Sequence, residues 1–238
     1  MKIFNNLSGY LKKSFSLGLA LLLTGGLFTG KSVSAFDILD NGNATIASLS
    51  FRVASQTMWN GVVFTPQSNF TLSSLQLVLV SVSQQTGDLT ISLYQADGSN
   101  APTGSVLASK TETGVNFQAL QAGLTAANAT QFDLTTGSWN VNSGSKYVLT
   151  ISSNLTNPQG FADTNPVSFS TTSDATYLGM VSSSNSGSSW GSLQTIVAPW
   201  IILSGNTVPV PEPSTYVLGT IATGMIAYVS RRRKKQSA

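Results

Sequence analysis

Hydrophobic and polar residues alternate with a period of two through most of residues 36–207. Leu49, Phe51 and Val53 alternate with Ser48, Ser50 and Arg52, and Leu75, Leu77 and Leu79 share one face while Gln76, Val78 and Val80 take the other. Leu89, Ile91 and Leu93 alternate with Thr90, Ser92 and Tyr94, and Tyr147, Leu149 and Ile151 alternate with Val148, Thr150 and Ser152. Successive side chains of a strand point to opposite faces, so each set predicts a strand with one inward face. Gln85-Thr86-Gly87-Asp88 lies between two such runs and predicts a hairpin turn, and residues 96–104 predict a longer loop rich in Gly, Asn and Pro. Residues 195–203 form the last apolar run, predicted to be a central strand or one bent at Pro199. The Ser/Gly-rich stretch 182–192, with Trp190 inside it, predicts a mobile loop. No stretch holds a sustained helical pattern, although residues 116–129 have room for one helical turn. About eight to ten strands spaced roughly ten residues apart predict an all-β fold. A two-sheet antiparallel β-sandwich of jelly-roll-like topology is the expected form, with a meander barrel as the alternative.

The two ends of the chain follow a different pattern. Lys2, Lys12 and Lys13 precede the apolar run from Phe15 to Leu23, and Val33-Ser34-Ala35 supplies small residues where a signal peptidase needs them. Residues 1–35 are therefore expected to be a signal peptide cleaved before Phe36, with an uncleaved anchor as the alternative. At the other end, residues 208–214 are a proline-rich spacer, 215–230 an uncharged span and 231–238 a basic tail containing Arg231, Arg232, Arg233, Lys234 and Lys235. The span is shorter than the roughly 20 helical residues that cross a bilayer core, so a transmembrane helix here would need snorkelling or local thinning. The basic cluster places the tail in the cytoplasm and residues 36–207, the ectodomain, outside. Pro209, Pro211 and Pro213 hold Val210 and Glu212 extended, because a residue before proline is driven out of the α region. Glu212 thus sits on a stiff ribbon just outside the membrane, in the form a protease or transpeptidase takes as substrate.

Stripping both ends reverses the charge. The whole chain is formally +3, but nine of its basic residues lie in residues 1–35 and 231–238. What remains is Arg52, Lys110 and Lys146 against nine acidic residues, a formal net charge of −6. An acidic ectodomain has no footprint for a phosphate backbone, which argues against nucleic acid as a partner. The chain has no Cys and no His, so it can build neither a Ser-His-Asp nor a Cys-His arrangement and lacks the usual transition-metal ligands. No cofactor or metal is expected, and no disulfide supports the fold. About 178 residues from Phe36 to Pro213 are enough for one domain with its own core.

The order Pro211-Glu212-Pro213-Ser214-Thr215, short apolar span and Arg-rich end resembles the PEP-CTERM sorting signal of Gram-negative and related bacteria. The resemblance implies an exosortase as partner, with processing near Pro211, Glu212 and Pro213. It also implies transient anchoring in the inner membrane, then display on the envelope surface or release, in bacteria that make exopolysaccharide. Within the ectodomain, Phe70-Thr71-Leu72-Ser73-Ser74-Leu75-Gln76-Leu77, Gly87-Asp88-Leu89-Thr90-Ile91-Ser92-Leu93-Tyr94 and Pro102-Thr103-Gly104 resemble the choice-of-anchor R domains. That family implies surface display and carries no assigned activity.

Chemistry in the ectodomain is sparse. Asp88, Asp97, Glu112, Asp133, Asp163 and Asp174 could in principle form a hydrolytic carboxylate pair, but no spacing brings two of them together. Asp97-Gly98-Ser99-Asn100 and residues 37–43 offer oxygens to calcium, against the simpler reading of Asx turns. Trp59 and Trp190 are the candidates for an exposed sugar-stacking platform, whereas Trp139 and Trp200 sit in strand patterns and read as core. The expectation is a non-enzymatic structural or matrix protein associated with exopolysaccharide. A carbohydrate-binding module is the alternative.

Overall fold

Alternation decides what faces inward. In β6 (Gln85–Ala96) the residues Leu89, Ile91 and Leu93 are buried, and in β10 (Tyr147–Ser153) Leu149 and Ile151 lie directly across from Leu93 and Ile91. On its other side β10 meets β3 (Trp59–Pro66), which sets Leu149 against Val62 and Tyr147 against Phe64. The Phe64 and Tyr147 rings pack with centroids 6.0 Å apart. Each such layer places branched and aromatic side chains across one pleated face, and their burial is the main favourable term. The computed structural model describes residues 35–42, 46–121, 124–156, 159–164 and 173–208. The expected signal peptide, sorting motif, membrane span and basic tail lie outside the described residues, apart from Ala35 and Val208. The chain divides into two units between Ser34 and Ala35, and every strand belongs to the second.

The remaining strands are β1 (Ala35–Asp40), β2 (Ile46–Val53), β4 (Phe70–Leu77), β5 (Leu79–Ser81), β7 (Pro102–Ala119), β8 (Thr130–Asp133) and β9 (Asn140–Val141), followed by β11 (Gln159–Thr164), β12 (Ala175–Ser183), β13 (Ala198–Pro199) and β14 (Ile201–Thr207). They form two sheets. A five-stranded sheet has the order β1-β14-β4-β8, with β9 also on β4, and a nine-stranded sheet has the order β12-β3-β10-β6-β7-β5-β11-β13, with β2 also on β11. All pairings are antiparallel except the short β5–β7 contact. The all-β, two-sheet expectation therefore holds. The main core lies between the sheets and includes Phe70, Leu72, Leu75, Phe132, Trp139 and Leu203 from one, with Phe64, Leu93, Phe117 and Leu149 from the other.

Two strands change sheet at the same level. The run of leucines that reads as one strand breaks at Val78: β4 stays in the smaller sheet and β5 joins β11 in the larger. The last run does the same at Trp200, where β13 pairs with β11 and β14 with β4. Proline is tolerated in β13 because the pairing with β11 spans only Asp163–Pro199 and Thr164–Ala198. Val78, Val80, Leu124, Ala162 and Trp200 form a second small core at this crossover. It explains why residues 77–80 are apolar on both faces. Trp139 Nε1 donates to the Thr136 carbonyl at 3.0 Å, whereas the buried Trp200 Nε1 meets no acceptor among the described residues.

Two local expectations are corrected and a third is met. Gln85 to Asp88 is not a hairpin turn but the first part of β6, and β5 and β6 do not pair with each other. The register of β6 against β7 slips between Gly87 and Leu89, and the Asp88 carboxylate fills the irregularity by accepting from the Gly114 amide (3.2 Å) and the Asn154 side chain (3.0 Å). Turn-type residues here serve a bulge instead of a reversal. The stretch 182–192 is pinned, not free. Gly191 donates to the Ser182 carbonyl, Ser186 donates to the carbonyls of Thr57 and Gln56, and Gly187 donates to the Ser183 hydroxyl. The expected helical turn is a single 3₁₀ turn, Ala126–Asn128, capped by Thr125.

Candidate functional site

The two chain exits lie together. Ala35 pairs with Asn206, Thr207 pairs with Phe70, and the Val208 amide donates to the Asn69 carbonyl at 3.0 Å. The hairpin 66–70 closes the same end, where Gly144 donates to the Pro66 carbonyl and Gln67 to that of Asp174. The strand that follows the expected cleavage point is thus hydrogen-bonded to the strand that precedes the spacer. Pro211, Glu212 and Pro213, and the basic stop at Arg231, Arg232, Arg233, Lys234 and Lys235, lie outside the described residues.

Trp59 and Trp190 lie on the same outer face at the far end. Trp59 opens β3 opposite Ser183 of β12, an eight-residue strand, or about 26 Å of chain, from the exits. Its parity puts it with Gly61 and Val63 on the outer face of the larger sheet. Trp190 packs over that face with Val63, Val148, Val181 and Leu193, and a Cβ on Gly61 would sit 3.6 Å from the Trp190 ring. Gly187 lies against the Trp59 ring, with its own Cβ position only 2.9 Å from it, and Trp59 Nε1 donates to the Gln56 carbonyl at 3.3 Å. Both indoles are half-buried, not freely exposed. They are neighbouring anchors under one loop, which leaves part of each ring to solvent.

Sequence reasoning missed a polar cluster. Arg52 on β2 meets the Asp163 carboxylate on β11 (Nε to Oδ2, 3.1 Å) and donates to Gln194 Oε1 at 3.2 Å. Tyr177 on β12 donates its hydroxyl to the Val197 carbonyl at 2.5 Å. The cluster ties the segment before β13 to three strands of the larger sheet. Its only sequence signal was that Arg52 is the sole arginine of residues 36–207. Burial pushes the Tyr177 phenol far above its ordinary value, the Asp163 carboxylate pushes the same way, and Arg52 opposes. The folded chain therefore holds the proton more tightly than the unfolded chain. The stabilisation is complete below the unfolded value of about 10 and is lost as pH rises toward the folded one. Thermal melting followed from about pH 8 to pH 11 should show Tm falling above about pH 10. Tyr177→Phe should flatten that fall, and an unchanged alkaline limb would contradict this role.

The carboxylates of Asp37, Asp40, Asp97, Glu112 and Asp133 are each engaged locally. Asp97 Oδ1 accepts from the amides of Ser99 (2.8 Å) and Ala101 (2.9 Å), while Lys146 Nζ occupies Asn100 Oδ1 at 2.6 Å. Asp37 accepts from the Ser204 hydroxyl and Asp40 from the Gly42 amide. Asn41 is a buried pin, donating to the Pro199 carbonyl (2.6 Å) and accepting from the Ile201 amide (2.7 Å). Both stretches read as calcium candidates thus spend their oxygens on turns and strand ties. Glu112 pairs with Lys110 at 3.3 Å. The Thr135 hydroxyl and amide hold the exposed Asp133 carboxyl below the usual range, with Lys110 adding to the effect. Among the described residues, no group of three or more acidic side chains gathers where an ion could be held.

The described residues form an all-β domain whose first and last strands are hydrogen-bonded neighbours. The sequence model described as the PEP-CTERM protein-sorting motif matches residues 209–234. The motif is thus present as expected, and it implies export, exosortase processing and sorting at the membrane. No curated protein and no solved structure matches the chain. Among the described residues, no helix is long and apolar enough to cross a membrane.

Proposed function

We propose that the protein is a non-catalytic structural component of the envelope surface or extracellular matrix, delivered by an exosortase. In this reading residues 1–35 are removed as a signal peptide, residues 215–230 hold the chain in the inner membrane for a time, and processing near Pro211-Glu212-Pro213 ends that hold. The observation that carries it is the sorting motif at residues 209–234 directly after the last strand of the domain. Cuts before Phe36 and near Glu212 remove only the Ala35–Asn206 pair from the smaller sheet and leave the rest of β1 paired with β14. The strand order supports a jelly roll: β1-β14-β4-β8 faces β3-β10-β6-β7, and successive strands of these eight cross between the sheets at every step except from β6 to β7. The choice-of-anchor R likeness fits this reading, since its leucine positions at 72, 75, 77, 89 and 93 are core.

Mass spectrometry of the mature protein, from cells with and without the exosortase, tests the proposal. The expected result is a chain starting at Phe36 and ending near Glu212 only when the exosortase is present. An identical C-terminus and location in both strains would overturn it.

A second reading, a module that binds exopolysaccharide, is favoured by the placement of Trp59 and Trp190 on one face far from the chain exits. Trp59→Ala with Trp190→Ala is expected to abolish retention on the producer's own polysaccharide. Retention that survives both substitutions would remove this face as the site.

A further inference from the structure

β7 is the longest strand of the fold, and one of its edges is open. It pairs with β6 from Pro102 to Phe117, but on its other side it meets β5 only through Gln118 and Ala119. Along Pro102 to Phe117, then, no strand of the described residues covers the second edge. Such an edge presents main-chain donors and acceptors that template a further strand. Two irregularities bound its flat part. The register against β6 slips between Leu93 and Gln95, where β7 makes an excursion at Gly104 to Leu107, and again near Gly114, whose φ is +68°. Between them, Ala108 to Glu112 runs regularly against Leu93 to Leu89.

That flat part is self-complementary. Lys110 and Glu112 point to the core side of the sheet, opposite Ile91 and Leu89, while Ser109 and Thr111 point outward, opposite Ser92 and Thr90. An antiparallel partner strand must keep inward residues opposite inward residues, or its sheet would turn its core face to solvent. For two identical strands, this leaves registers centred on a single residue. Centring on Lys110 puts two ammonium groups together, and centring on Glu112 puts two carboxylates together. Within each chain Lys110 already pairs with Glu112 at 3.3 Å and donates to the Asp133 carbonyl at 2.6 Å. Centring on Thr111 thus joins two such pairs into an alternating four-charge cluster, with Lys110 opposite Glu112 of the second copy, twice, and Ser109 opposite Thr113 of the second copy. Unlike charges directly opposite stabilise a pair and like charges destabilise it.

We propose that the open edge of β7 is a pairing surface for a second copy of this chain, joined antiparallel about Thr111. A two-fold contact of this kind closes on itself. The bulges at either end limit it to a short segment, so it makes pairs and not fibres. The contact is small, and it gains most where many copies are held at one surface. The inference does not depend on the sorting or polysaccharide readings.

The chain has no cysteine, which gives a direct test on the full-length protein in its own cells. Thr111→Cys should yield a disulfide-linked dimer on a non-reducing gel. Ser109→Cys alone and Thr113→Cys alone should not, because like residues then stand about 13 Å apart, beyond the reach of a disulfide. Ser109→Cys and Thr113→Cys produced together should restore the band. In the Thr111→Cys background, adding Lys110→Glu or Glu112→Lys should each weaken cross-linking roughly tenfold, by turning two attractive pairs into repulsive ones. Mixing those two charge variants should recover it. No dimer from Thr111→Cys, or equal dimer from all three single cysteines, would overturn the proposal. Thr111→Cys keeps both charged residues, so a folding defect in the charge variants leaves the first test intact.

Discussion

Gly160→Ala is expected to unfold the domain, although it adds one methyl group. Gly160 sits in β11 between Val53 of β2 and Val80 of β5. A Cβ there would lie 1.5 Å from the Arg52 carbonyl oxygen, 2.5 Å from its carbon and 3.1 Å from the Val53 Cα. Overpacked side chains can turn aside at about 1–3 kcal/mol, but here the obstacle is main chain on a paired strand. Relief would require moving β2, which also carries Arg52 and its pairing with Asp163. The loss should be roughly 3 kcal/mol or more, against total stabilities of about 5–15 kcal/mol. Gly98→Ala is the control: no atom lies within 4 Å of its Cβ position, so a change within about 0.5 kcal/mol is expected. Urea midpoints compare the two, and equal midpoints would contradict the close β2–β11 approach.

Arg52→Met should be the second most costly change, and more costly than Asp163→Leu. The Asp163 side chain is only 5% exposed, while that of Arg52 is 27% exposed. Removing the guanidinium leaves a buried carboxylate without its countercharge, at about 3 kcal/mol. Removing the carboxylate leaves a guanidinium that can turn its head to solvent, so the cost falls to about 1 kcal/mol. The double variant should therefore be close to Asp163→Leu alone. Without Arg52 the buried carboxylate would also favour its neutral form, so Arg52→Met should regain stability on acidification from about pH 7 to pH 5, unlike the wild type. Chemical denaturation of the three variants at both pH values measures this. A larger loss for Asp163→Leu than for Arg52→Met would refute the argument from exposure.

Much of the ectodomain was legible because strand periodicity is a local property. Leu89, Ile91 and Leu93, with Leu149 and Ile151 across from them, were identifiable as an inward face from alternation alone. Trp139 and Trp200 were identifiable as core from the patterns around them. Turn chemistry was less reliable, since Gly87-Asp88 is equally suited to a reversal and to a bulge. Only the pairing partner, β7, decides between them. Residues 182–192 looked mobile because serine and glycine lack large contacts. Their hydrogen bonds to Gln56 and Thr57 come from a segment the local sequence cannot foresee.

The sequence by itself carried the C-terminal sorting motif, the alternation of an all-β domain and the excess of acidic over basic residues between the two basic ends. These depend on composition, charge order and short spacings, which survive without a fold. Tertiary structure alone decided the sheet changes at Val78 and Trp200, the Arg52–Asp163–Tyr177 cluster, the placement of Trp59 and Trp190 on one face and the open edge of β7. Each depends on which strand lies beside which. Strands adjacent in space are distant in sequence here, as Asn41 and Ile201 are, and no local pattern encodes the partner of an edge.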